Sequence, residues 1–385
     1  MTKKVLIIGG GASGLAAAIT CAGNGNDVTV IEKNDRVGKK LLTTGNGRCN
    51  FGNLGLHEHS YNNDKFVSDV LLRAKEGASK LMSDIGLMSY ADDEGRLYPV
   101  SETATSVLDC LRFECEKRGV KFVLGKSCDA VYKRDNCYAV MLGGRENMVA
   151  DNVIIAVGGK AQTSSYNLDK LVEHRVLIEF NPSLVPVKVY PQPKAISGLR
   201  VKGDVILYKN GEVLHKESGE VLFKDNALSG IVIMNMSAFI ARDYLDPGEY
   251  ELEIDAYPYL SEDELLKLLK ERYTAFGAKR LMTGMFHSRI ADEFKRRAIA
   301  NGRNDITGVA DAVKHMRFKV TGLGSFAEAQ VMTGGIDTKA LRTTLEFRKN
   351  EGLYACGEAV DIDGLCGGYN LHWAFSSGIV AGMLE

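Results

Sequence analysis

Hydrophobic and polar positions along the 385-residue chain change period several times, and those changes divide it. Lys4-Val-Leu-Ile-Ile8 is a continuous apolar run that ends in glycines, and a small-residue stretch from Ala12 to Cys21 follows it. Asp27-Val-Thr-Val-Ile-Glu32 is a second apolar, β-branched run. The spacing predicts strand, tightly packed helix and parallel strand, because a parallel return needs a crossover of about a dozen residues. Asn152-Val-Ile-Ile-Ala156 and Gly352-Leu-Tyr-Ala-Cys356 repeat the pattern, leading to Gly158-Gly159 and to Gly357. Three buried strands that each run into glycine imply strand C-termini gathered around one ligand, which is where open α/β sheets bind.

The middle of the chain reads differently. Short β-like segments at Val201 to Tyr208, Gly219 to Phe223 and Tyr250 to Ile254 are punctuated by the turn signals Asn210-Gly211 and Pro247-Gly248. Ser261, with Glu264 three residues on, is a capping box opening an amphipathic helix to Arg272, and more helix runs through Ala300. Gly322-Leu-Gly324 precedes no strand-to-helix unit and reads as a turn. The chain ends at Glu385, so the last helix is expected to be short. The expected fold class is α/β: a discontinuous Rossmann-like nucleotide-binding domain, residues 1–187 and 319–385, interrupted by an inserted β-rich and helical domain, 188–318.

Composition narrows the class of protein. Apolar residues at 45% and charged residues at 25% are ordinary for a soluble globular chain. The net charge of -1 gives no broad electrostatic footprint for nucleic acid or acidic membranes, so a small-molecule partner is expected, with no nucleic acid and no membrane. With no leader pattern and no spanning apolar run, the expected location is cytoplasmic. Oligomeric state is not legible. The eight cysteines include no C-x-x-C pair, which argues against zinc or a thioredoxin-type centre, and no metal site is expected.

Gly9-Gly10-Gly11-Ala12-Ser13-Gly14 fits the dinucleotide fingerprint, with Gly9, Gly11 and Gly14 at its three obligatory positions. The first permits the tight turn, the second lets a pyrophosphate approach the backbone, and the third lets helix pack on strand; the helix N-terminus then presents N–H groups to the anion. Glu32 ends the second strand at about the 20-residue distance expected of the acid that accepts from an adenosine ribose.

The next segment, Gly38-Lys39-Lys40-Leu-Leu-Thr-Thr44-Gly45-Asn46-Gly47-Arg48-Cys49-Asn50, resembles the signature of the YhiN/BaiN-like bacterial flavoproteins, also called the aminoacetone oxidase family. Gly95-Arg-Leu-Tyr-Pro99, Pro182-Ser-Leu-Val-Pro186, Thr333-Gly334-Gly335 and the stretch from Gly357 to Gly378 are similar to it as well. The resemblance implies a two-part FAD domain and an inserted β-barrel carrying a helical excursion. The cofactor set it implies, joined to the fingerprint, begins with Gly9, Gly11, Ala12, Ser13, Gly14, Glu32, Lys33 and Lys40. It continues through Thr44, Gly45, Gly47, Arg48, Cys49, Asn50, Cys128, Ala156, Val157, Gly158 and Gly159. Gly357, Glu358, Gly367, Gly368, Tyr369, Asn370 and Leu371 complete it, with a helix from about Asn370 aiming N–H groups at the flavin. The segment Phe223 to Ile231 departs from the family in lacking its His and Pro, which removes the basis for a substrate role there.

Three residues are candidates for chemistry: Cys49 and Cys366 as thiol acids or charge-transfer partners, and His372 as a proton donor. Packing against the cofactor is the alternative for the cysteines, and filling a polar pocket for His372. The expected enzyme is an FAD-dependent oxidoreductase that moves hydride between a small organic substrate and flavin. NAD(P)H-dependent C=C reduction and oxygen-dependent oxidation of an aminoacetone-type amine both fit, and the rival class is a flavin-binding regulatory protein without turnover. The chain has no second complete glycine fingerprint, so NAD(P)H, if it is the donor, binds transiently. The insert is expected to form the wall opposite the flavin and to set specificity.

Overall fold

The computed structural model describes residues 2–55, 60–144, 146–163, 166–243 and 249–385. The signal at Pro247-Gly248 lies outside the described residues. Two compact units emerge: Met1–Asn181 with Val331–Glu385, and Pro182–Gln330. The second is wider at both ends than the 188–318 span expected, because strands Val187–Tyr190 and Met316–Leu323 pair with each other and belong to one barrel.

In the first unit β1 (Lys4–Ile8) is buried from Val5 onward and pairs in parallel with β2 (Asp27–Glu32), the helix α1 (Ala12–Gly23) forming the crossover. On its other side β1 pairs in parallel with Asn152–Ile155, which pairs in parallel with Asn350–Ala355. Lys121–Leu124 extends the sheet beyond β2, and Glu346–Phe347 closes the far edge antiparallel. The α/β expectation is borne out. Since the inner strands are parallel and adjacent, the glycines after Ile8, Ile155 and Ala355 all lie at one sheet edge.

The alanines of α1 have a partner that requires small residues. The last helix, Tyr369–Met383, packs on α1 so closely that a Cβ on Gly378 would lie 2.3 Å from the Ser13 carbonyl oxygen, and one on Gly382 2.7 Å from that of Ala17. Ala16, Ala17 and Ala18 are fully buried. The expectation of a short last helix is corrected: it has 15 residues, because it starts at Tyr369 and uses almost all of the remaining chain.

The second unit is a closed six-stranded barrel with its own apolar core, the architecture implied by the resemblance. Arg200–Lys209 and Glu212–Phe223 form a hairpin whose two linking residues, Asn210 and Gly211, both have positive φ (53° and 84°), the geometry two-residue turns favour. The capping box at Ser261 and Glu264 is formed, and the helix runs to Arg280 across a break at Gly277. Helices Ser288–Ala300 and Ile306–Lys314 follow. Gly322 is no turn: it lies in strand Met316–Leu323 opposite Lys188, at a shift of register that its φ of 152° accommodates. Glu262, Asp311 and His315 bring ligand-type atoms within 4.8 Å of one another, but Glu262 is exposed and both His315 nitrogens already face carboxylates, Glu253 at 3.2 Å and Glu262 at 3.7 Å.

Candidate functional site

The turn from β1 into α1 is locked by contacts that exclude side chains. Gly9 has φ 111°, and a Cβ there would lie 2.3 Å from the Ala156 carbonyl oxygen and 3.1 Å from the Val157 Cα. A Cβ on Gly14 would lie 1.9 Å from the Gly9 carbonyl oxygen. Gly11 differs: a Cβ there would meet nothing within 4 Å, and its backbone is extended (φ -83°, ψ -168°). The first intrahelical bond is donated by Leu15 N–H to the Gly11 carbonyl at 2.9 Å. The N–H groups of Ala12, Ser13 and Gly14 therefore have no intrahelical acceptor, and the helix dipole favours an anion beside them.

Glu32 closes this turn as well as facing it. Its Oε2 accepts from the Gly10 N–H at 2.8 Å, and its Oε1 accepts from Asn34 N–H at 2.9 Å and Asn34 Nδ2 at 2.6 Å. A carboxylate offers about four acceptor positions, so about one remains on Oε2 for a ribose hydroxyl. Lys33 donates to Thr163 Oγ1 at 3.1 Å, and partial burial, the larger effect, lowers its amine below the ordinary lysine range despite Glu32.

The second and third glycine ends meet at Glu358. Its Oε2 pairs with Lys40 Nζ at 2.8 Å, its Oε1 accepts from Met332 N–H at 3.0 Å, and a Cβ on Gly159 would lie 2.3 Å from Oε1. Gly158 (φ 71°) opens to free space, while a Cβ on Gly357 would press on Ser13 Oγ at 2.4 Å. The Tyr166 phenol, which reasoning from sequence missed, has a buried OH with no partner among the described residues, and burial with the nearby Glu358 charge raises its pKa, so it stays a donor.

The signature loop turns through left-handed residues, Gly45 (φ 56°), Asn46 (54°), Gly47 (83°) and Cys49 (58°). Thr44 Oγ1 donates to the Leu41 carbonyl at 2.7 Å, and the Thr44 carbonyl accepts from Cys49 N–H at 3.1 Å. Asn50 joins this loop to the C-terminal one: its Nδ2 donates to the Gly52 carbonyl at 2.8 Å and its Oδ1 accepts from Gly368 N–H at 3.1 Å. Arg48 is half exposed, over the Tyr98 ring at 5.0 Å and 3.7 Å from Glu102.

Asn370 has an amide role that the sequence did not suggest: Oδ1 accepts from Gly364 N–H and Nδ2 donates to the Gly364 carbonyl, both at 2.8 Å. Its side chain thus staples the 364–368 loop, and the helix N-terminus begins one residue earlier, at Tyr369. Asn53 donates to the Gly367 carbonyl at 2.8 Å, the Tyr61 hydroxyl to that of Tyr369 at 2.9 Å, and the Tyr369 hydroxyl to that of Gly55 at 3.1 Å. Asn53 and Tyr61 are missed positions too. Leu371 is half-buried against the core. The carbonyl of buried Cys128 is already held by Asn167 Nδ2.

Of the three residues expected to do chemistry, two are in environments that oppose charge. Cys49 is fully buried and its thiol is pushed up to about 12 by desolvation, despite a hydrogen bond with Thr44, so it is no thiolate partner. His372 is pushed down to about 4 by burial, with its Nδ1 unpartnered near Gly52, so it is neutral at pH 7 and cannot serve as a charged acid. Cys366 keeps partial exposure.

The family profile described as HI0933-like protein Rossmann domain matches residues 3–384. The chain belongs to the HI0933-like family. It is 31% identical, over 99% of this chain and 98% of the relative, to a protein of Clostridium scindens named 3-dehydro-bile acid delta(4,6)-reductase. It is 27% identical to the ribosomal RNA dihydrouridine synthase of Haemophilus influenzae, over 97% of this chain and 96% of the relative. Against the enzyme of that name from Escherichia coli the identity is 28%, over 97% and 95%. The protein is an FAD-dependent oxidoreductase of this family. Among the described residues no helix is long and apolar enough to cross a membrane.

The residues fit FAD: an open position at Gly11 beside free helix N–H groups, a buried acid with acceptor capacity left, and an orphaned phenol next to Glu358. Two outcomes follow. Gly11→Val should leave the chain folded, since its Cβ meets no protein atom, but lower flavin occupancy about tenfold or more by filling the phosphate position. The absorbance ratio of the purified variant reads this, and full occupancy would place the pyrophosphate elsewhere. His372 predicts an acid-sensitive fold. Below its ordinary value of 6.5 the unfolded imidazole takes up a proton that the folded one, at about 4, refuses, so stability falls across that window by roughly 3 kcal/mol and no further below it. Denaturant unfolding of His372→Gln between pH 7 and pH 4 should show that part of the loss removed, and an unchanged acid limb would assign the loss to other groups.

Proposed function

We propose that the enzyme saturates an activated carbon–carbon double bond in a small organic substrate, with NAD(P)H as a transient electron donor. The observation that carries this reading is the end-to-end likeness to a protein named as a delta(4,6)-reductase. The name dihydrouridine synthase, borne by the two other relatives, also describes a base with its double bond reduced. The cysteines support it by exclusion. None is in a disulfide, and the Cys49 thiol, held at about 12, is unsuited to exchange.

In this reading Gly11 and the first N–H groups of α1 hold the pyrophosphate and Glu32 the ribose. Lys40 and Glu358, with the 44–50 loop, position the ribityl side. FAD, when bound, supplies the hydride acceptor and donor. The N–H groups at the start of the Tyr369–Met383 helix would favour negative charge on a flavin ring held beside them. Saturating a C=C bond also needs a proton at the second carbon. Cys366, the one candidate of the three with exposed surface, takes that role through its thiol.

Anaerobic stopped-flow distinguishes the readings. NADPH or NADH should bleach the bound flavin, and a conjugated enone should restore its colour faster than dissolved oxygen does. Cys366→Ala should slow the enone step by about a hundredfold while leaving bleaching and flavin content intact. Bleaching by aminoacetone with reoxidation only by air would establish the amine oxidase instead.

A further inference from the structure

In the first unit a second concavity is built from residues outside the glycine cradle. Its volume is about 480 Å³, within the range of small-ligand sites. Leu171, Val172, Phe347 and Leu353 give it an apolar floor. Around them stand six cations, Lys133, Lys170, Arg175, Lys339, Arg348 and Lys349, against two acids, Glu173 and Asp337, in a chain whose net charge is -1.

The acids are already engaged. Glu173 pairs with Arg175, and Asp337 accepts from the backbone N–H of Lys339 at 2.9 Å. Lys133 lies over the Tyr138 ring and donates to the Glu351 carbonyl at 3.4 Å. That leaves Lys170, Lys339, Arg348 and Lys349 with no carboxylate partner among the described residues. Elsewhere neighbouring cations share an acid, as Lys117 and Arg118 share Glu114, and Arg296 and Arg297 share Glu293. Four unpaired like charges around one concavity repel one another, and an anion among them relieves that repulsion. A bare inorganic anion would leave the apolar floor wet, and an extended polyanion would not enter a concavity of this size.

We propose that this cavity binds an amphipathic organic anion: a compact apolar body set on the floor, with one acidic head among the four cations. The proposal does not depend on the redox reading, since the cavity shares no residue with the cofactor set.

Decanoate is a suitable probe, titrated by calorimetry into the flavin-loaded protein. It should bind saturably at one site, and weaken as salt rises. Decan-1-ol, which lacks the charge, and inorganic phosphate, which lacks the apolar body, should each bind at least about tenfold more weakly. Lys339 and Arg348 are exposed, so the double variant Lys339→Glu, Arg348→Glu should fold, keep its flavin spectrum and lose decanoate affinity by about tenfold or more. Val172→Trp, filling the floor, should weaken decanoate and leave phosphate unchanged. Equal affinity for decanoate and phosphate, or decanoate binding indifferent to both variants, would overturn the proposal. So would binding of a single-stranded RNA oligonucleotide that the charge reversals abolish while decanoate binding persists, which would make the rim a nucleic-acid surface.

Discussion

Between Ile8 and Leu15 the backbone leaves a strand buried from Val5 onward and enters a helix buried from Ser13 to Ile19, through a space with no room for a side chain at Gly9 or Gly14. The Gly9 position is blocked by Ala156 and the Gly14 position by Gly9 itself. That close approach draws β1, Asn152–Ile155 and α1 together, and it aims the start of α1 at the sheet edge where the other glycine ends emerge. Glu32 hydrogen-bonds the same turn from the end of β2, so this acid holds the glycine loop in shape. Within it, a Cβ on Gly11 would meet no atom within 4 Å, so the first N–H groups of α1 have open space beside them.

The C-terminal part depends on the same packing. Gly378 and Gly382 let the last helix lie against α1, which delivers Gly357 and Glu358 to the β1 edge and sets Gly368 beside Asn50. Segments separated by more than 300 residues are then joined by hydrogen bonds: Lys40 to Glu358, Asn53 to Gly367, Tyr61 to Tyr369. Burial adds a chemical consequence. It holds the Cys49 thiol protonated and the His372 imidazole neutral, so this part of the site is low in charge and suited to packing a ring system.

What could be read from sequence is what local physics controls. The strand–helix–strand unit, the glycine ends and the capping box at Ser261 each follow from period, propensity or a three-residue spacing. The rest depends on contacts distant in sequence. The amide of Asn370, bonded at both ends to Gly364, and the burial that holds His372 neutral cannot be seen in the local sequence. Tyr61 and Asn53 carry no local signal, because their partners are brought to them by the fold, and Tyr166 carries none because its burial near the Glu358 charge is also made by the fold. Gly322 looked like a turn because a single glycine gives no indication of a register shift in a barrel strand.

The central claim is that the glycine turns and Glu32 form a cradle for a flavin that carries an adenosine half. Heat release of the cofactor from the purified yellow protein, followed by mass measurement and quantitation against protein, tests it most directly. The account predicts FAD at close to one molecule per chain; FMN alone, or a protein that purifies colourless and takes up no FAD, would contradict it.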